Sequence, residues 1–164
     1  MIQKKICLLG SFSVGKTSLI RRYVDSLFSD RYLTTVGVKI DKKQLQLNGQ
    51  DMTLMIWDIA GEDAFTSIRT AYLRGMAGYV IVIDGTRPQS LEVATSIHRM
   101  VQETVGDLPV AFALNKADLQ QQWQLDNAQL DTLRQQGHTL IETSAKHDQG
   151  VNDLFLHLAK QFGI

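Results

Sequence analysis

A glycine-containing segment near the N-terminus has the residue types and spacing of a phosphate-binding loop. Residues 10–17 read GSFSVGKT, which matches G-x-x-x-x-G-K-[ST] and stands between an apolar run and an amphipathic stretch. Glycines let backbone N–H groups turn toward phosphate oxygens, and the N-terminus of the following helix adds partial positive charge. Lys16 supplies a full charge to the β- and γ-phosphates, and the Thr17 hydroxyl suits Mg²⁺. The alternative is an ordinary glycine-rich turn from a strand into a helix.

A second motif indicates which base accompanies the phosphates. Residues 115–118 read NKAD and follow an apolar run at 110–114. The Asp118 carboxylate can accept hydrogen bonds from N1 and the exocyclic amine of guanine, which adenine does not offer. The Asn115 side chain can either fix the loop or reach the base. Such a site discriminates strongly between bases, because the wrong base would leave its carboxylate unpaired. The motif alone is a weak signal, but it becomes specific when a phosphate loop precedes it.

The remaining pattern predicts the elements that must position these loops. Short apolar runs, typical of buried parallel strands, are found at 6–9, 80–83 and 110–114, and a last short strand is predicted at 139–142. Helical spacing is found at 17–27, 90–105, 126–136 and 151–162. Two further segments, 38–47 and 52–57, meet across Asn48-Gly49, which predicts a hairpin. Strands interleaved with helices predict an α/β fold whose ligands bind beyond the carboxyl ends of the strands, where both motifs fall.

Composition excludes several other classes of protein. The 164 residues are 44% hydrophobic and 21% charged, so we expect one globular domain over 1–164. The 17 basic and 17 acidic residues balance, which argues against bulk attraction to nucleic acid or an anionic membrane. The single cysteine, Cys7, excludes an internal disulfide and is expected to be a buried, inert thiol. The longest apolar run, 76–83, is too short to span a bilayer.

Taken together, the motifs resemble the Ras superfamily of small GTPases, and most closely its Rab branch. The resemblance extends to WDIAG at 57–61, ETSAK at 142–146, TTVGV at 34–38 and YLRG at 72–75. It implies a P-loop NTPase small G domain, with a six-stranded mixed sheet, one antiparallel edge strand and five flanking helices. It also implies a GTP/GDP switch that hydrolyses GTP with Mg²⁺, with switch I at 28–38 and switch II at 60–75.

The same resemblance implies the site residues. It assigns nucleotide binding to Ser13, Val14, Gly15, Lys16, Thr17, Ser18, Phe28, Thr35, Gly61, Asn115, Lys116, Asp118, Ser144, Ala145 and Lys146. It assigns catalysis to Lys16, Thr35, Gly61 and Glu62, and magnesium binding to Thr17, Thr35 and Asp58. The implied partners are effectors, an exchange factor and a GAP. We expect a cytoplasmic monomer without a direct membrane anchor in this chain.

Two departures from the family pattern fall on the chemistry. Glu62 stands where the family usually has the glutamine that orients the attacking water, and an ionised carboxylate accepts hydrogen bonds without donating them. Phe12 occupies a position where the family prefers a small residue. We therefore expect slow intrinsic hydrolysis. The alternatives are a raised pKa that lets Glu62 act as a base or donor, and a Glu62 side chain that only faces solvent.

Three functions therefore remain open. The first is the hydrolysing switch, and the second is a GTP-held binding module with negligible hydrolysis, motivated by Phe12 and Glu62. The third is a P-loop ATPase or kinase, which the guanine-reading residues disfavour. Two other features have weaker interpretations. The histidines lack metal-ligand spacing and are expected on the surface or on a helix face. Trp123 is expected either to anchor its polar loop on the core or to contact a partner.

Overall fold

The computed structural model describes residues 2–11, 14–24, 32–33, 38–59 and 70–162. Its strands are β1 (Ile2–Gly10), β2 (Tyr32–Leu33), β3 (Val38–Leu47), β4 (Gln50–Ile59), β5 (Met76–Asp84), β6 (Val110–Asn115) and β7 (Thr139–Thr143). Its α-helices are α1 (Lys16–Val24), α2 (Pro88–Val105), α3 (Asn127–Gln135) and α4 (Val151–Ala159). Short 3-10 helices occupy Thr70–Leu73, Ala117–Gln122 and Lys160–Phe162.

In the described part of the chain, the strands form one mixed sheet of order β2-β3-β4-β1-β5-β6-β7. Neighbours from β4 to β7 pair in parallel, whereas β3 is antiparallel to both β4 and β2. The expected α/β fold and its mixed sheet are confirmed, because all six expected strands are present. The two-residue β2 extends the antiparallel edge, and a segment that short has no periodicity by which the sequence could reveal it.

The predicted hairpin is present between β3 and β4. Leu47 pairs with Gln50, and both turn residues have positive φ, 52° at Asn48 and 78° at Gly49. Two consecutive positive φ values are the requirement of a type I′ turn, which matches the twist of the flanking strands. The turn chemistry read from the sequence therefore fixed the register of this edge.

Two apolar layers hold the sheet between the helices. On one face, α1 and α4 pack through Leu19, Ile20, Leu154 and Phe155 against alternate strand residues that include Ile6, Leu8, Val80 and Val82. On the other face, α2 and α3 pack through Leu91, Ile97 and Leu130 against Cys7, Leu9, Ile81 and Ile83. This alternation is the period of a strand buried on both faces. The parallel strands are thereby held with their carboxyl ends at one edge.

The expected burial of Cys7 is confirmed. The residue is fully buried in β1, and burial raises the pKa of its thiol to about 12. A protonated thiol in an apolar layer is a poor nucleophile and a poor metal ligand. In the described residues, no helix combines the length and the apolar character needed to cross a bilayer.

Candidate functional site

The carboxyl ends of four parallel strands bring the sequence motifs to one edge of the sheet. β1 leads into the phosphate loop, β5 ends at Asp84, β6 ends at Asn115 and β7 ends at Thr143. Asp84 is in register with Asn115, and Asn115 with Thr143. Segments that lie far apart in sequence, NKAD and ETSAK, therefore become neighbours through strand pairing. This is where α/β sheets bind ligands.

The phosphate loop approaches the NKAD motif too closely for a side chain at Gly15. Gly15 has φ of 97°, and a Cβ built there would lie 2.3 Å from Nδ2 of Asn115. The Asn115 amide donates to the backbone carbonyl of Val14 at 2.8 Å. Helix α1 begins at the next residue, Lys16, so its first N–H groups stand at the loop. The geometry is that of a backbone cradle at a helix N-terminus.

Charged and hydroxyl groups cluster beside this cradle. The Lys16 ammonium lies 3.5 Å from Oδ1 of Asp58, and the Thr17 hydroxyl donates to Oδ2 of Asp58 at 2.7 Å. The side chains of Lys16 and Asp58 are only 10% and 8% exposed. A carboxylate next to a hydroxyl is a donor set of hard oxygens, as Mg²⁺ requires. The buried Ser11 hydroxyl lacks a hydrogen-bond partner in the described residues, so the site retains polar capacity that a phosphate oxygen would fill.

Asn115 connects three segments of the site. Its Nδ2 group bonds the phosphate loop at Val14, and its Oδ1 accepts a hydrogen bond from the Thr143 hydroxyl at 3.1 Å. Of the two roles open to this side chain from the sequence, fixing the loop is the one these contacts perform. Because Asn115 and Thr143 are buried, both bonds are shielded from water.

Lys116 is held by an ion pair beneath the loop. Its ammonium lies 2.7 Å from Oδ2 of Asp84, a fully buried carboxylate, and this contact is an ion pair without hydrogen-bond alignment. The other Asp84 oxygen accepts from the Thr86 backbone N–H at 2.8 Å and from its hydroxyl at 2.7 Å. A buried carboxylate needs such partners, since removing them would leave an uncompensated charge. Asp84 therefore anchors the NKAD loop from the neighbouring strand.

The ETSAK segment is tied to Asp118 and to α1. The buried Ser144 hydroxyl donates to Oδ1 of Asp118 at 2.8 Å, and this bond is the main reason that the pKa of Asp118 lies below its ordinary value. Arg22 of α1 donates to the carbonyls of Ala145 at 2.8 Å and Lys146 at 3.1 Å. The ionised form of Asp118 is the one that accepts two hydrogen bonds from a base edge.

The structure brings together most of the predicted site residues. The phosphate side contains Val14, Gly15, Lys16, Thr17 and Asp58, and the base side contains Asn115, Lys116, Asp118, Ser144, Ala145 and Lys146. Ser18 lines a surface cavity of 390 Å³ together with Arg21, Arg22, Ala145 and Lys146. The other predicted positions lie outside the described residues: Phe12, Ser13, Phe28, Thr35, Gly61 and Glu62.

Sequence reasoning missed several residues that support the site. Arg22 gave no signal, because an arginine on a helix surface is ordinary, and Thr143 lies in the ETSAK motif but had no role assigned to it. Asp84 could have been found, since it is a charged residue that ends an otherwise apolar strand. Trp123 was noted, and its indole N–H donates to the carbonyl of Lys116 at 2.9 Å. The anchoring alternative for Trp123 is therefore the one that the contacts match.

A second, larger cavity lies away from these motifs. Its volume is 830 Å³, and its lining includes Tyr79 of β5, His98 of α2 and His138, which directly precedes β7. His98 lies on a helix face, as the sequence predicts, but its contact with a second histidine was not predicted. His98 is buried, and its ring centroid lies 4.6 Å from that of His138, because helix and strand packing joins positions 40 residues apart in sequence. Of the predicted site residues that the structure describes, none lines this cavity.

Comparison with known proteins agrees with the site. The Ras family model matches residues 5–163. Ras-related protein SEC4 of Saccharomyces cerevisiae is 33% identical over 157 residues, 95% of this chain and 73% of that protein. Ras-related protein Rab-13 of Bos taurus is 33% identical over 158 residues, 95% of this chain and 78% of that protein. Ras-related protein Rab-1D of Dictyostelium discoideum is 35% identical over 161 residues, 95% of this chain and 78% of that protein.

The α/β sheet with its glycine loop and base-reading motif is that of a P-loop protein, and the chain belongs to the Ras family of small GTPases. Its similarity to Rab proteins over nearly its whole length makes it a Rab-like small GTPase. Proteins of this family bind guanine nucleotides with Mg²⁺, hydrolyse GTP and act through effectors, exchange factors and GAPs.

Proposed function

We propose that this chain is a guanine-nucleotide switch whose GTP hydrolysis requires Mg²⁺ and is slow. The proposal rests above all on one cluster. Lys16 and Thr17, adjacent in the phosphate loop, both contact Asp58 at the end of another strand. A cation for phosphate and two oxygen donors for a metal ion thus meet beside a backbone cradle.

Each group has a role that follows from its chemistry. Lys16 neutralises phosphate charge, and the nearly buried position of its side chain strengthens that interaction because little water screens it. Thr17 and Asp58 would hold Mg²⁺, together with Thr35. Bound Mg²⁺ would neutralise charge on the phosphate oxygens. Gly15 and its neighbours would supply N–H groups that are positioned before the reaction begins.

Nucleotide binding must change the partner of Lys16. In the structure, its ammonium faces the Asp58 carboxylate. A phosphate carries more negative charge than this carboxylate and would draw the ammonium toward it. Asp58 would then be available to the metal ion and its bound water. Phosphate and metal binding are therefore expected to be coupled through this pair.

On the base side, we propose that Asp118 reads guanine while Asn115 and Lys116 hold the loop. Ser144, Ala145 and Lys146 would close over the base, and Phe28 would pack against it. The bonds from Ser144 to Asp118 and from Arg22 to Ala145 and Lys146 support this assignment, because they stiffen the carboxylate and its cover. A preorganised carboxylate loses little entropy when the base binds.

Slow hydrolysis is proposed from two residue identities. Glu62 places a carboxylate where the family's glutamine orients water, and so adds negative charge beside the γ-phosphate. Phe12 adds a bulky ring to the phosphate loop, where it would shield the phosphate or obstruct an arginine supplied by a GAP. Such an arginine is worth roughly 10³–10⁵ in rate where it works. Thr35 and Gly61 would contact the γ-phosphate through backbone N–H groups.

The output would be a change in switch I at 28–38 and switch II at 60–75. These loops would order around the γ-phosphate and be released after hydrolysis, so that effectors distinguish the two states. We propose a monomer that acts in the cytoplasm.

A single-turnover assay tests the proposal. Purified protein is loaded with GTP and Mg²⁺, with ATP in a parallel sample, and the nucleotide is followed by chromatography. Binding of GTP but not ATP, followed by slow conversion to GDP, is expected. Binding without conversion would favour the GTP-held module, and equal binding of ATP would reject the guanine-specific switch.

A double substitution tests the finer claim about rate. Phe12→Gly combined with Glu62→Gln is expected to raise the single-turnover rate, because it restores a small loop residue and a side chain that both donates and accepts. Glu103→Gln, the same type of change at an exposed position of α2, is the control. An unchanged rate in the double variant would reject the claim that these two residues slow turnover.

A further inference from the structure

Trp123 contacts the NKAD motif on the side of β5. The residue directly follows the 3-10 helix Ala117–Gln122. Its indole N–H donates to the Lys116 carbonyl at 2.9 Å. Its ring lies against Gly85, where an added Cβ would come within 2.2 Å of Cε2 of the indole. The indole therefore fills the space between the end of β5 and the start of the NKAD loop.

Lys116 needs such support because its backbone is strained. It has φ of 68° and ψ of 40°, the left-handed region, which costs a residue with a Cβ roughly 1–2 kcal/mol. A residue stays in this conformation only where its surroundings determine it. Two donors hold the Lys116 carbonyl, the indole N–H of Trp123 and the backbone N–H of Leu119, each at 2.9 Å. The Asp84 carboxylate holds the Lys116 side chain.

Backbone bonds close the same structure into a ring. The Gln124 N–H donates to the Gly85 carbonyl at 3.0 Å, and the Gly85 N–H donates to the Asn115 carbonyl at 3.1 Å. Residues 116–118 thus lie in a loop that is closed by these backbone bonds and by the indole of Trp123. Displacing the indole would leave the Lys116 carbonyl with the Leu119 N–H as its remaining donor, and would loosen the constraint on the direction in which Asp118 is presented.

We infer that Trp123 is a positioning residue for base recognition. It acts through Lys116 and sets both how long a guanine nucleotide stays bound and how strictly the exocyclic amine is required. The inference rests on the proposed function, since it assigns a cause to the selectivity of that same site. Its own content is that an indole outside the NKAD motif determines the geometry of Asp118.

The test uses graded substitutions in the full chain. Trp123→Phe keeps a ring but removes the N–H donor, and Trp123→Ala removes both. Gln122→Ala, an exposed neighbour in the same loop, is the matched control. Release of fluorescent GDP is expected to quicken about threefold to tenfold in Trp123→Phe, the usual effect of one lost hydrogen bond, and further in Trp123→Ala. The control is expected to stay within twofold of the unsubstituted protein.

A second readout separates positioning from simple loss of stability. Inosine diphosphate lacks the exocyclic amine, so the GDP-to-IDP affinity ratio reports how well Asp118 is placed. This ratio is expected to fall in both Trp123 variants, in parallel with faster release. Circular dichroism verifies folding, and if Trp123→Ala does not fold, Trp123→Phe provides the test. An unchanged release rate and an unchanged ratio in Trp123→Phe would overturn the role of the indole N–H.

Gly85→Ala approaches the same contact from the other side. The new methyl group is expected to displace the indole and to imitate Trp123→Ala in release rate. When both changes are combined, the smaller residue at 123 makes room for the methyl, so the double variant should release GDP no faster than Trp123→Ala alone. Additive effects would contradict the inference. Failure of the unsubstituted protein to bind GDP would instead reject the proposed function.

Discussion

The two sides of the candidate site are built differently. On the base side, Asn115 and Arg22 donate hydrogen bonds to backbone carbonyls of neighbouring loops, and Ser144 donates to Asp118. On the phosphate side, Lys16, Thr17 and Asp58 bond to one another. Under the proposed function, the first set would keep its contacts when a nucleotide binds, whereas the second set would exchange them.

The difference has a physical consequence for recognition and switching. A side whose contacts persist is preorganised and determines which base is accepted. A side whose charges change partners is sensitive to metal ions and to the number of phosphates. The base side is therefore suited to recognising which base is present, and the phosphate side to sensing how many phosphates the nucleotide carries.

The largest expected effect breaks the base side. Asp118→Asn replaces an acceptor with a group that also donates, so the two hydrogen bonds to guanine are lost. Affinity for GDP should fall by about 10²–10⁴ from the loss of charged hydrogen bonds, while affinity for xanthosine diphosphate rises. Competition binding measures both. Asp131→Asn, at an exposed position, is the control, and undiminished GDP affinity in Asp118→Asn would remove Asp118 from base reading.

A change at the junction of the two sides comes next. Gly15→Ala adds a methyl group 2.3 Å from Nδ2 of Asn115 at a φ of 97°. Gly49→Ala is its matched control, because Gly49 also has positive φ but nothing lies within 4 Å of the added atom. Thermal unfolding should show that Gly15→Ala loses about 1–3 kcal/mol more than the control, the usual cost of overpacking. Equal losses would mean that strain, and not the close approach, requires this glycine.

The phosphate side is tested through its metal dependence. Asp58→Asn keeps the shape of the side chain but removes the charge opposite Lys16. Apparent Mg²⁺ affinity, measured from GDP release at graded Mg²⁺, should weaken about 10–100-fold, as for other groups that orient metal-bound water. Asp51→Asn on the exposed hairpin is the control. If Asp58→Asn responded to Mg²⁺ like the unsubstituted protein, the proposal that Asp58 leaves Lys16 to serve the metal ion would be wrong.

The smallest expected effect arises outside both sides of the site, at the histidine pair His98 and His138. Burial lowers the pKa of His98 and of His138, and the His98 pKa is lowered further by His138 and raised by Asp107. As the pH falls through about 6.5, the unfolded chain binds protons that the folded protein resists, so stability should decrease. Melting temperature should drop a few degrees from pH 7.5 to pH 5.5.

This last effect should be separable from nucleotide chemistry. Replacing His98 and His138 together with glutamine should reduce the pH dependence of the melting temperature, whereas His147→Gln, an exposed change, should leave it intact. A pH profile that persists unaltered in the double variant would assign it to other groups.

Much of the fold was predictable because it follows from local patterns. The hairpin at Asn48-Gly49 and strand β3 were read with their observed bounds, since turn chemistry and alternation are short-range signals. Strands β1, β4 and β5 proved longer than the segments predicted for them. In β1 and β4, pairing extends the strand into polar residues that have no hydrophobic signal. The partners of Lys16 and Lys116 could not be read, since they come from other strands.

The sequence by itself determined the class of chemistry. Backbone flexibility at Gly15, the charge of Lys16 and the acceptor at Asp118 are properties of single residues and of their spacing along one loop. Only the tertiary structure decided that Asp84 pairs with Lys116, that Arg22 holds the ETSAK segment and that Trp123 supports the NKAD loop. The reason is that strand register and helix packing join residues that no local pattern relates.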